Sequence, residues 1–504
     1  MLSKAKAFFD LDKPIAWRTE ILAGLAVAMT MIPESLSFAI LAGFPPLSGL
    51  YAAFIAGLVA ALFGGRPGLI SGGAGATVVT LIALIQSHGL EYAFAAVALA
   101  GVIQIIIGIF KWAKYIRLVP ESVMYGFVNG LAVIIFSAQL QQFFTVDAAT
   151  GEKVLLQGSA MATMAALVAL TIAITFLFPK ITRKFPASLA AIIVVFAIVL
   201  IFGIDTKTVG DISPVSGSLP PFHIPSVPFT WETFKLILPY SAVVAVVGLT
   251  EGLLTLNLVD EITGTKGNGP RECLAQGGSN ILNGLFTGMG GCPMIAQTLV
   301  NINAGARSRV AGVVAALAII FIVLVAAPVI ERIPMAALTG VMMVVSFFTF
   351  NWKSFKILNK MPVQDVLVMI IVTAITIIWH NLALAVLVGI IISALSFAWK
   401  KAIGIRIVPA MQADGSKRYA LHGELFFGSV GDFEHALDVL NDPKTVVIDF
   451  EHSGIHDMGA LESLNKMTNK YQQQGKQLLV RNLDEKSRAL VQKAAHLRVV
   501  KIAE

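Results

Sequence analysis

Two apolar stretches are interrupted by glycine and proline in the same manner: LFGGRPGLISGGAGATVVTLIAL at residues 62–84 and LFTGMGGCPMIAQTLVNIN at residues 285–303. Each begins with Leu-Phe, passes through a glycine-rich part that disfavours steady helix, and then turns helical in pattern. Irregular backbone inside a membrane persists only where protein or a watery cavity satisfies its polar groups. One such interruption in each half of a chain predicts a transporter binding site.

The composition is typical of a membrane protein. Of the 504 residues, 56% are hydrophobic and 13% are charged, whereas a soluble domain carries roughly 25% charged residues. Apolar runs with short loops continue to about residue 400, after which the chain becomes polar. We therefore expect a transmembrane transport domain over residues 1–400 and a soluble domain over residues 405–504.

The basic residues predict the topology. The apolar part divides into about fourteen segments, most of them long enough to span a bilayer. If the N-terminus is cytoplasmic and each segment crosses once, only Lys153, Lys207, Lys235 and Arg332 lie on the outer side. This asymmetry predicts a multi-pass inner-membrane protein with both termini in the cytoplasm. The formal charge of +7 then lies beside anionic lipid, so no nucleic-acid partner is expected.

Internal repetition is visible in a second pair of motifs. PESVMYG at residues 120–126 and PMAALTG at residues 334–340 both place a proline and a glycine at the start of a span. Together with the interrupted stretches, they predict repeats over about residues 20–204 and 231–400, inverted because each holds an odd number of spans. The intervening residues 205–230 are rich in proline, which predicts an extended extracellular segment.

The interrupted stretches predict an anion site. A helix that starts inside the protein directs its unpaired N–H groups and positive dipole end at the cavity. We assign substrate binding to two helix starts and one aromatic residue of the first span, namely Gly75, Ala76, Thr77, Ile295, Ala296, Gln297 and Phe38. The alternative is a pair of kinked helices that merely pack tightly through glycine.

Two carboxylates fall inside apolar runs. Glu34 and Glu251 lie at corresponding places of the two repeats, so we expect them to be near symmetry mates. At an effective dielectric constant of about 20, a like charge about 8 Å from the anion costs roughly 2 kcal/mol. At least one carboxylate should therefore be protonated or paired with a cation, which predicts coupling to H⁺ or Na⁺. Thr255, one turn after Glu251, is a further candidate Na⁺ ligand, and the alternative for each glutamate is a protonated side chain bonded to nearby backbone.

Other chemistry is not expected. The glycine-rich stretches match neither a Walker nor a dinucleotide-binding motif, the histidines lack metal-ligand spacing, and no nucleophilic triad is evident. The two cysteines, Cys273 and Cys292, fit a reducing compartment or burial in the bilayer. We therefore expect no enzyme activity, no metal site and no cofactor other than H⁺ or Na⁺ as the coupling ion.

The polar tail predicts a compact α/β domain. Residues 446–449 and 477–480 have strand-like patterns. Residues 432–440, 457–471 and 484–496 have helical patterns, each with an acidic residue placed to cap the helix or complement its dipole.

Several motifs resemble those of the SulP family of anion transporters. They are IPESLSFAILAGFPPLSGLY at residues 32–51, PESVMYGF at 120–127, VG at 209–210 before the proline-rich segment, QGGSN at 276–280 and VNIN at 300–303. The tail resembles a STAS domain, the usual cytoplasmic part of such proteins. The resemblance covers nearly the whole chain.

This resemblance implies an all-α, uracil-permease-like membrane domain with a seven-plus-seven inverted repeat, in which a core domain moves against a gate domain. It implies that the anion sits between the third and tenth helices, that the protein is a homodimer, and that the STAS domain has a cytoplasmic partner. Glu251 and Thr255 match Na⁺-binding positions of bicarbonate-transporting members, which carry Asp in place of the glutamate. Glu34 matches a carboxylate linked to proton coupling in some members.

Two departures from the family pattern stand out. Many members carry Arg where this chain has Gln297, which weakens the expectation of a dianion such as sulfate. The STAS turn at residues 457–460 reads DMGA and has no hydroxyl, so we expect no phosphorylation switch there.

The sequence thus predicts secondary active transport of a small anion (sulfate, bicarbonate or a dicarboxylate) by alternating access, as symport with H⁺ or Na⁺. One alternative is a nucleobase permease of the same architecture. The other is a membrane-anchored regulator that acts through its STAS domain.

Overall fold

A computed structural model forms two compact units, which divide between Ile390 and Ile391. The structure describes residues 15–116, 120–146, 153–182, 185–215, 217–358, 360, 362–379, 382–402, 405–493 and 501–502. Lys4, Lys6 and Lys13, which the predicted topology places inside, lie outside the described residues, whereas Arg18 is part of the first helix.

The first unit is almost wholly helical. Its first half contains α1 (Trp17–Ala42), α2 (Pro46–Phe63), β1 (Ser71–Gly72), α3 (Gly75–Val79), α4 (Ile82–His88), α5 (Leu90–Ile109), α6 (Ala113–Ile116), α7 (Glu121–Leu140), a 3₁₀ turn (Gln141–Phe143), a hairpin of β2 (Phe144–Val146) and β3 (Lys153–Leu155), α8 (Gly158–Ile181) and α9 (Ala187–Phe202). Its second half contains α10 (Trp231–Thr263), α11 (Gly269–Leu285), β4 (Cys292–Pro293), α12 (Ile295–Asn303), α13 (Val310–Glu331), α14 (Met335–Thr349), α15 (Lys353–Ile357), α16 (Val363–Trp379) and α17 (Leu382–Ala402), the last of which crosses the division between the units.

Helix length and composition agree with a membrane domain. Within the described part of the chain, eight helices are long and apolar enough to cross a bilayer, and three shorter apolar helices accompany them. Both interruptions predicted from glycine and proline are present, as the short strands before α3 and α12. The predicted all-α membrane fold is therefore confirmed.

Corresponding helices of the two halves make corresponding contacts, and each of these contacts is with a helix of the other half. In the first half α1 contacts α13 and α7 contacts α16, whereas in the second half α10 contacts α5 and α14 contacts α8. The two Pro/Gly motifs have the same position relative to their helices. Pro120 directly precedes α7, and Pro334 directly precedes α14. Gly126 then packs against α16, and Gly340 packs against α8. This correspondence is the packing expected of a duplicated unit.

Glycine lets α5 and α11 approach backbone to backbone. A Cβ on Gly101 would lie 2.5 Å from the carbonyl oxygen of Gly277, and a Cβ on Gly284 would lie 2.6 Å from that of Phe94. Small residues allow this close contact. Helices in lipid gain no hydrophobic stabilisation when they associate, so van der Waals packing of this kind holds them together. The two helices thus pack side by side, and β4 and α12 follow α11 along the chain.

The proline-rich segment at 205–230 is largely non-helical, as predicted, and its backbone is bonded to the helical unit. The Val209 N–H donates to the Ile333 carbonyl, and the Val215 N–H donates to the Glu331 side chain at 2.8 Å. Farther along, the Glu91 side chain accepts from the His223 ring at 2.8 Å and from the Ser226 N–H at 2.7 Å.

The second unit contains a five-stranded sheet in the order β5 (Arg406–Met411), β6 (Lys417–His422), β7 (Thr445–His452), β8 (Gln477–Arg481) and β9 (Lys501–Ile502). The first pair is antiparallel and the others are parallel. Three helices connect the parallel strands: α18 (Val430–Ala436), α19 (Met458–Gln473) and α20 (Glu485–Lys493). Its core contains the fully buried rings of Tyr419, Phe433, Phe450 and Tyr471. The predicted α/β fold is confirmed.

Most local predictions for this unit hold. The strands at 446–449 and 477–480 are present, and the Asp457 side chain caps α19 by accepting from the Ala460 N–H at 2.8 Å. The helix predicted at 432–440 is wrong at its end, because α18 stops at Ala436. There Leu437 becomes extended and buries its side chain in the core. For the helix predicted at 484–496, residues 494–496 lie outside the described structure.

Candidate functional site

The two interrupted stretches meet as a short antiparallel pair. Ser71 pairs with Pro293, and Gly72 pairs with Cys292. The Met294 N–H also donates to the Ile70 carbonyl at 2.9 Å. Helix α3 begins shortly after β1 and α12 shortly after β4, so the pairing fixes both helix starts beside each other.

Side chains satisfy much of the irregular backbone around this pair. Asn280 on α11 bonds both backbone groups of Gly291, accepting from its N–H at 2.9 Å and donating to its carbonyl at 3.1 Å. The Ile70 N–H donates to the Thr298 hydroxyl at 3.0 Å, and the Asn301 amide donates to the Gly68 carbonyl at 2.9 Å. Polar groups buried in a membrane need such partners.

Both helix starts carry free N–H groups. Ala74 and Met294, which precede the two helices, are extended, and neither makes a side-chain cap. The first helical hydrogen bonds are donated by the Val78 and Thr298 N–H groups. Within the described structure, the N–H groups of the six predicted residues Gly75, Ala76, Thr77, Ile295, Ala296 and Gln297 therefore have no helical partner.

The two starts differ in exposure. Gly75, Ala76 and Thr77 are buried, whereas Ile295 and Ala296 are exposed and Gln297 is buried again. Phe38 on α1 is also buried, and a Cβ on Gly75 would collide with its ring. Glycine at position 75 thus lets the Phe38 ring lie against the start of α3, as the assignment of Phe38 to this site requires.

Glu34 contacts the second interrupted stretch directly. Its carboxylate accepts a hydrogen bond of 2.6 Å from the amide of Gln297, the third residue of α12. The amide oxygen of Gln297 is buried and has no partner among the described residues. Glu34, on the first helix, is therefore bonded to one of the two helix starts.

Glu251 contacts the same stretch at a different residue. The Cys292 thiol donates to its carboxylate at 3.0 Å, and the Thr255 hydroxyl donates to its backbone carbonyl at 2.7 Å. The two glutamates thus both bond the stretch at 285–303, rather than one to each stretch. Cys292 was not predicted as a site residue, and its one signal in the sequence is its place directly after Gly290 and Gly291.

A polar cavity of about 360 Å³ opens between α1, α4, α7 and α14. Its lining includes the side chains of Ser37, Gln86, Gln139 and Gln142, and no charged side chain lines it among the residues that the structure describes. Phe38 and the six residues of the helix starts are not among its lining residues, so this cavity is a separate feature of the helical unit.

Known proteins share this architecture. Residues 17–372 match the sulfate permease family, and residues 409–504 match the STAS domain. The "Putative sulfate transporter YbaR" of Bacillus subtilis is 40% identical over 478 residues, which cover 95% of this chain and 97% of that protein. The "Bicarbonate transporter BicA" of a Picosynechococcus species is 31% identical over 75% of this chain and 69% of its own length.

Solved structures agree. The transmembrane domain of a cyanobacterial bicarbonate transporter BicA aligns with a TM-score of 0.62 at 28% identity, covering 75% of this chain and 97% of that one. Murine Slc26a9, an anion transporter solved in the inward-facing state, aligns with a TM-score of 0.81 over 99% of this chain and 92% of its own. At 16% identity, the second likeness concerns the fold alone.

Proposed function

The chain belongs to the sulfate permease family, and we propose that it carries a small anion across the membrane by secondary active transport. The substrate is sulfate, bicarbonate or a dicarboxylate. Relatives named as sulfate and bicarbonate transporters support this class. The observation that carries the proposal is the β1–β4 pair, which brings two uncapped helix starts together inside a membrane protein.

The anion binds to the free N–H groups at these starts. Each helix end contributes about 0.3–2 kcal/mol toward a negative charge, more where water is excluded. The buried start of α3 under Phe38 supplies one side of the site, and the exposed first turn of α12 supplies the side through which the anion enters. With Gln297 in place of a fixed positive charge, the site suits a single negative charge better than two.

Coupling follows from the two carboxylates. Glu34 is bonded to Gln297 in the first turn of α12, and a charged Glu34 repels an anion bound there. A proton on Glu34 removes this repulsion, so the proton and the anion bind together. Glu251 with Thr255 is the second candidate, and a Na⁺ ion there would serve the same purpose.

A panel of radiolabelled anions tests the substrate class. Purified protein in liposomes should accumulate at least one of sulfate, bicarbonate and a dicarboxylate, and excess unlabelled substrate should compete. Radiolabelled uracil is the control, because a nucleobase permease of the same architecture would accumulate it instead. Uracil uptake without anion uptake would overturn the proposal.

The coupling ion is identified with the same liposomes. If H⁺ drives uptake through Glu34, an inward proton gradient increases the rate and Glu34→Gln removes this dependence. If Na⁺ drives it, replacement of Na⁺ by choline abolishes uptake, and Glu251→Gln has the same effect. If uptake responds to neither gradient, the mechanism is exchange of one anion for another. In that case neither Glu34 nor Glu251 couples transport to a cation.

We further propose that the protein lies in the inner membrane with both termini in the cytoplasm. It works as a homodimer, transports by alternating access of its two inverted repeats, and has no enzyme activity. The STAS domain binds a cytoplasmic partner. Reporter fusions at residues 205–230 and at the C-terminus test the topology, since only a C-terminal fusion should be active in the cytoplasm.

The regulatory alternative predicts a different result. A membrane-anchored regulator needs its soluble domain, whereas a transporter binds its anion through the helical unit. Removal of the residues after Ile405 should therefore leave anion binding measurable in the purified protein. Complete loss of binding in a folded, truncated protein would favour the regulator.

A further inference from the structure

A second cavity lies on the surface of the helical unit, away from the interrupted helices. It is a groove of about 540 Å³ between α7, α8 and α14. Val133 and Phe136 on α7, Ile172 and Phe176 on α8, and Phe347 on α14 are among its lining residues, and Trp352 lines one end. None of these lining side chains carries a charge, so the groove suits an apolar occupant.

The polar groups of the groove are already satisfied from within. The Ser346 hydroxyl donates to the Met343 carbonyl at 2.8 Å, and the Trp352 indole N–H donates to the Phe347 carbonyl at 2.9 Å. Aromatic rings form the remaining wall, with the Phe176 and Phe347 ring centres 6.0 Å apart. Among the residues that the structure describes, the groove therefore offers an occupant van der Waals contacts and no free side-chain hydrogen-bond donor.

One end of the groove is basic. Lys180 follows Phe176 by one helical turn on α8, while Lys353 and Lys356 lie on α15, which begins directly after Trp352. All three lysines are exposed, and no ion pair involves them within the described part of the chain. Because Thr171 lies against Gly340 and Phe176 lies against Phe347, α8 and α14 run in the same direction, and the three lysines all follow the same end of the groove.

We propose that this groove holds an acyl chain of an anionic phospholipid whose phosphate group lies at Lys180, Lys353 and Lys356. Any lipid tail can fill an apolar groove in a bilayer, so the headgroup charge must provide the selectivity. Basic residues near the membrane surface attract anionic lipid, and this attraction falls with ionic strength. The basic end is also the one that the positive-inside pattern assigns to the cytoplasmic leaflet.

Fluorescence quenching by brominated lipids tests the proposal on the full-length protein. Liposomes of phosphatidylcholine receive increasing amounts of phosphatidylglycerol or phosphatidylcholine with dibrominated acyl chains. Comparison with Trp352→Phe isolates the signal of Trp352 from that of the other tryptophans. We expect brominated phosphatidylglycerol to quench Trp352 at a mole fraction at least about fivefold lower than brominated phosphatidylcholine does. One or more lysine contacts predict a difference of this size.

Substitutions separate a headgroup site from a general lipid surface. The triple change Lys180→Gln, Lys353→Gln and Lys356→Gln should remove the preference for phosphatidylglycerol while leaving quenching by phosphatidylcholine. The matched control is Lys235→Gln, because Lys235 lies 5.5 Å from the exposed ring of Trp231 but outside the groove. In this control variant, brominated phosphatidylglycerol should still quench Trp352 more effectively than brominated phosphatidylcholine.

Three results would overturn the proposal. The first is equal quenching of Trp352 by the two brominated lipids in the unchanged protein. The second is a preference that survives the triple substitution. The third is protection of Trp352 from both lipids, which would show that a second copy of the chain covers the groove. If the triple variant does not fold, raised salt must reduce the preference in the unchanged protein, and a salt-independent preference would likewise contradict the headgroup site.

Discussion

Glu34 and Gln297 are joined by a hydrogen bond of 2.6 Å, although they are far apart in sequence. The glutamate lies on α1, and the amide lies in the first turn of α12, beside the free N–H groups of that helix. A hydrogen bond to a charged acceptor contributes about 1.5–3 kcal/mol. The protonation state of Glu34 is therefore linked to the part of the chain where we place the anion.

Replacing Gln297 by Met should change the pH dependence of transport. The Gln297 amide stabilises the charged form of Glu34, so its loss lets Glu34 keep its proton at higher pH. If the protonated form admits the anion, uptake in liposomes should persist to a pH about one unit higher. The control is Glu34→Gln with and without Gln297→Met, where no further shift is expected because the titrating group is absent. A shift to lower pH would contradict this coupling.

Gly291→Ala should disrupt the pairing of β1 and β4. A Cβ on Gly291 would collide with the carbonyl oxygen of Gly72, which belongs to the partner strand. We expect folded protein in the membrane with anion binding reduced at least about tenfold, since misplaced helix starts lose their joint attraction for the anion. Gly278→Ala is the matched control on α11, because a Cβ there has no neighbour within 4 Å. Binding assays on both purified variants decide the matter, and equal affinities would argue against this site.

Asp442→Asn should destabilise the C-terminal unit. The buried Asp442 carboxylate accepts hydrogen bonds from Lys417 at 2.6 Å, from Tyr419 at 2.9 Å and from Tyr471 at 2.5 Å. Loss of this charge leaves the part-buried Lys417 without its ionic partner and weakens three hydrogen bonds at once, which should cost about 3 kcal/mol or more. Hydrogen exchange of β6 and α19 in the full-length protein should then become much faster. Tyr471→Phe removes a single bond to the charged carboxylate and should cost about 1.5–3 kcal/mol, so an effect larger than that of Asp442→Asn would contradict the assignment.

Asp449 makes the stability of the same unit depend on acidic pH. Burial alone raises the pKa of Asp449, but hydrogen bonds from the Asn482 side chain and the Glu451 N–H, with the charge of Arg418, outweigh it and lower the pKa below 3.8. A carboxyl with a lowered pKa stabilises the fold above its unfolded pKa and loses this contribution as the pH falls through the folded value.

Hydrogen exchange of β7 measured against pH checks this effect. Protection should not depend on Asp449 ionisation from neutral pH down to about pH 4, and it should fall below that. Asp449→Asn should lower protection near neutral pH and weaken the acid dependence, whereas Asp432→Asn, at an exposed position, should do neither. Equal acid dependence in the unchanged protein and in Asp449→Asn would show that other groups control it.

Much of the C-terminal unit was predictable from local patterns, and the three missed strands, β5, β6 and β9, show the limit. β7 and β8 read as apolar runs, but β5 is mostly exposed and β6 buries only Tyr419 and Leu421 in alternation. The alternation in β6 was a usable signal. No local pattern marks the end of α18, because the burial of Leu437 depends on the rest of the core.

The sequence by itself determined the membrane class, the two interrupted helices and two carboxylates within apolar helices, Glu34 and Glu251. These follow from local properties, since apolar length sets a span, glycine and proline break a helix, and an ionisable group in an apolar run has to be functional or paired. It also placed Gly75 to Thr77 and Ile295 to Gln297 at helix starts. That the two starts lie side by side was an expectation from repetition.

Only the tertiary structure decided which atoms meet. Glu34 bonds Gln297 and Glu251 bonds Cys292, so one interrupted stretch receives both carboxylates and the other receives neither of them. The repeat alone predicts symmetric contacts, but each contact depends on how α1 and α10 pack against β4 and α12, and the two repeats have different side chains at those interfaces. Contacts between distant segments are set by this packing, which no local pattern in the chain encodes.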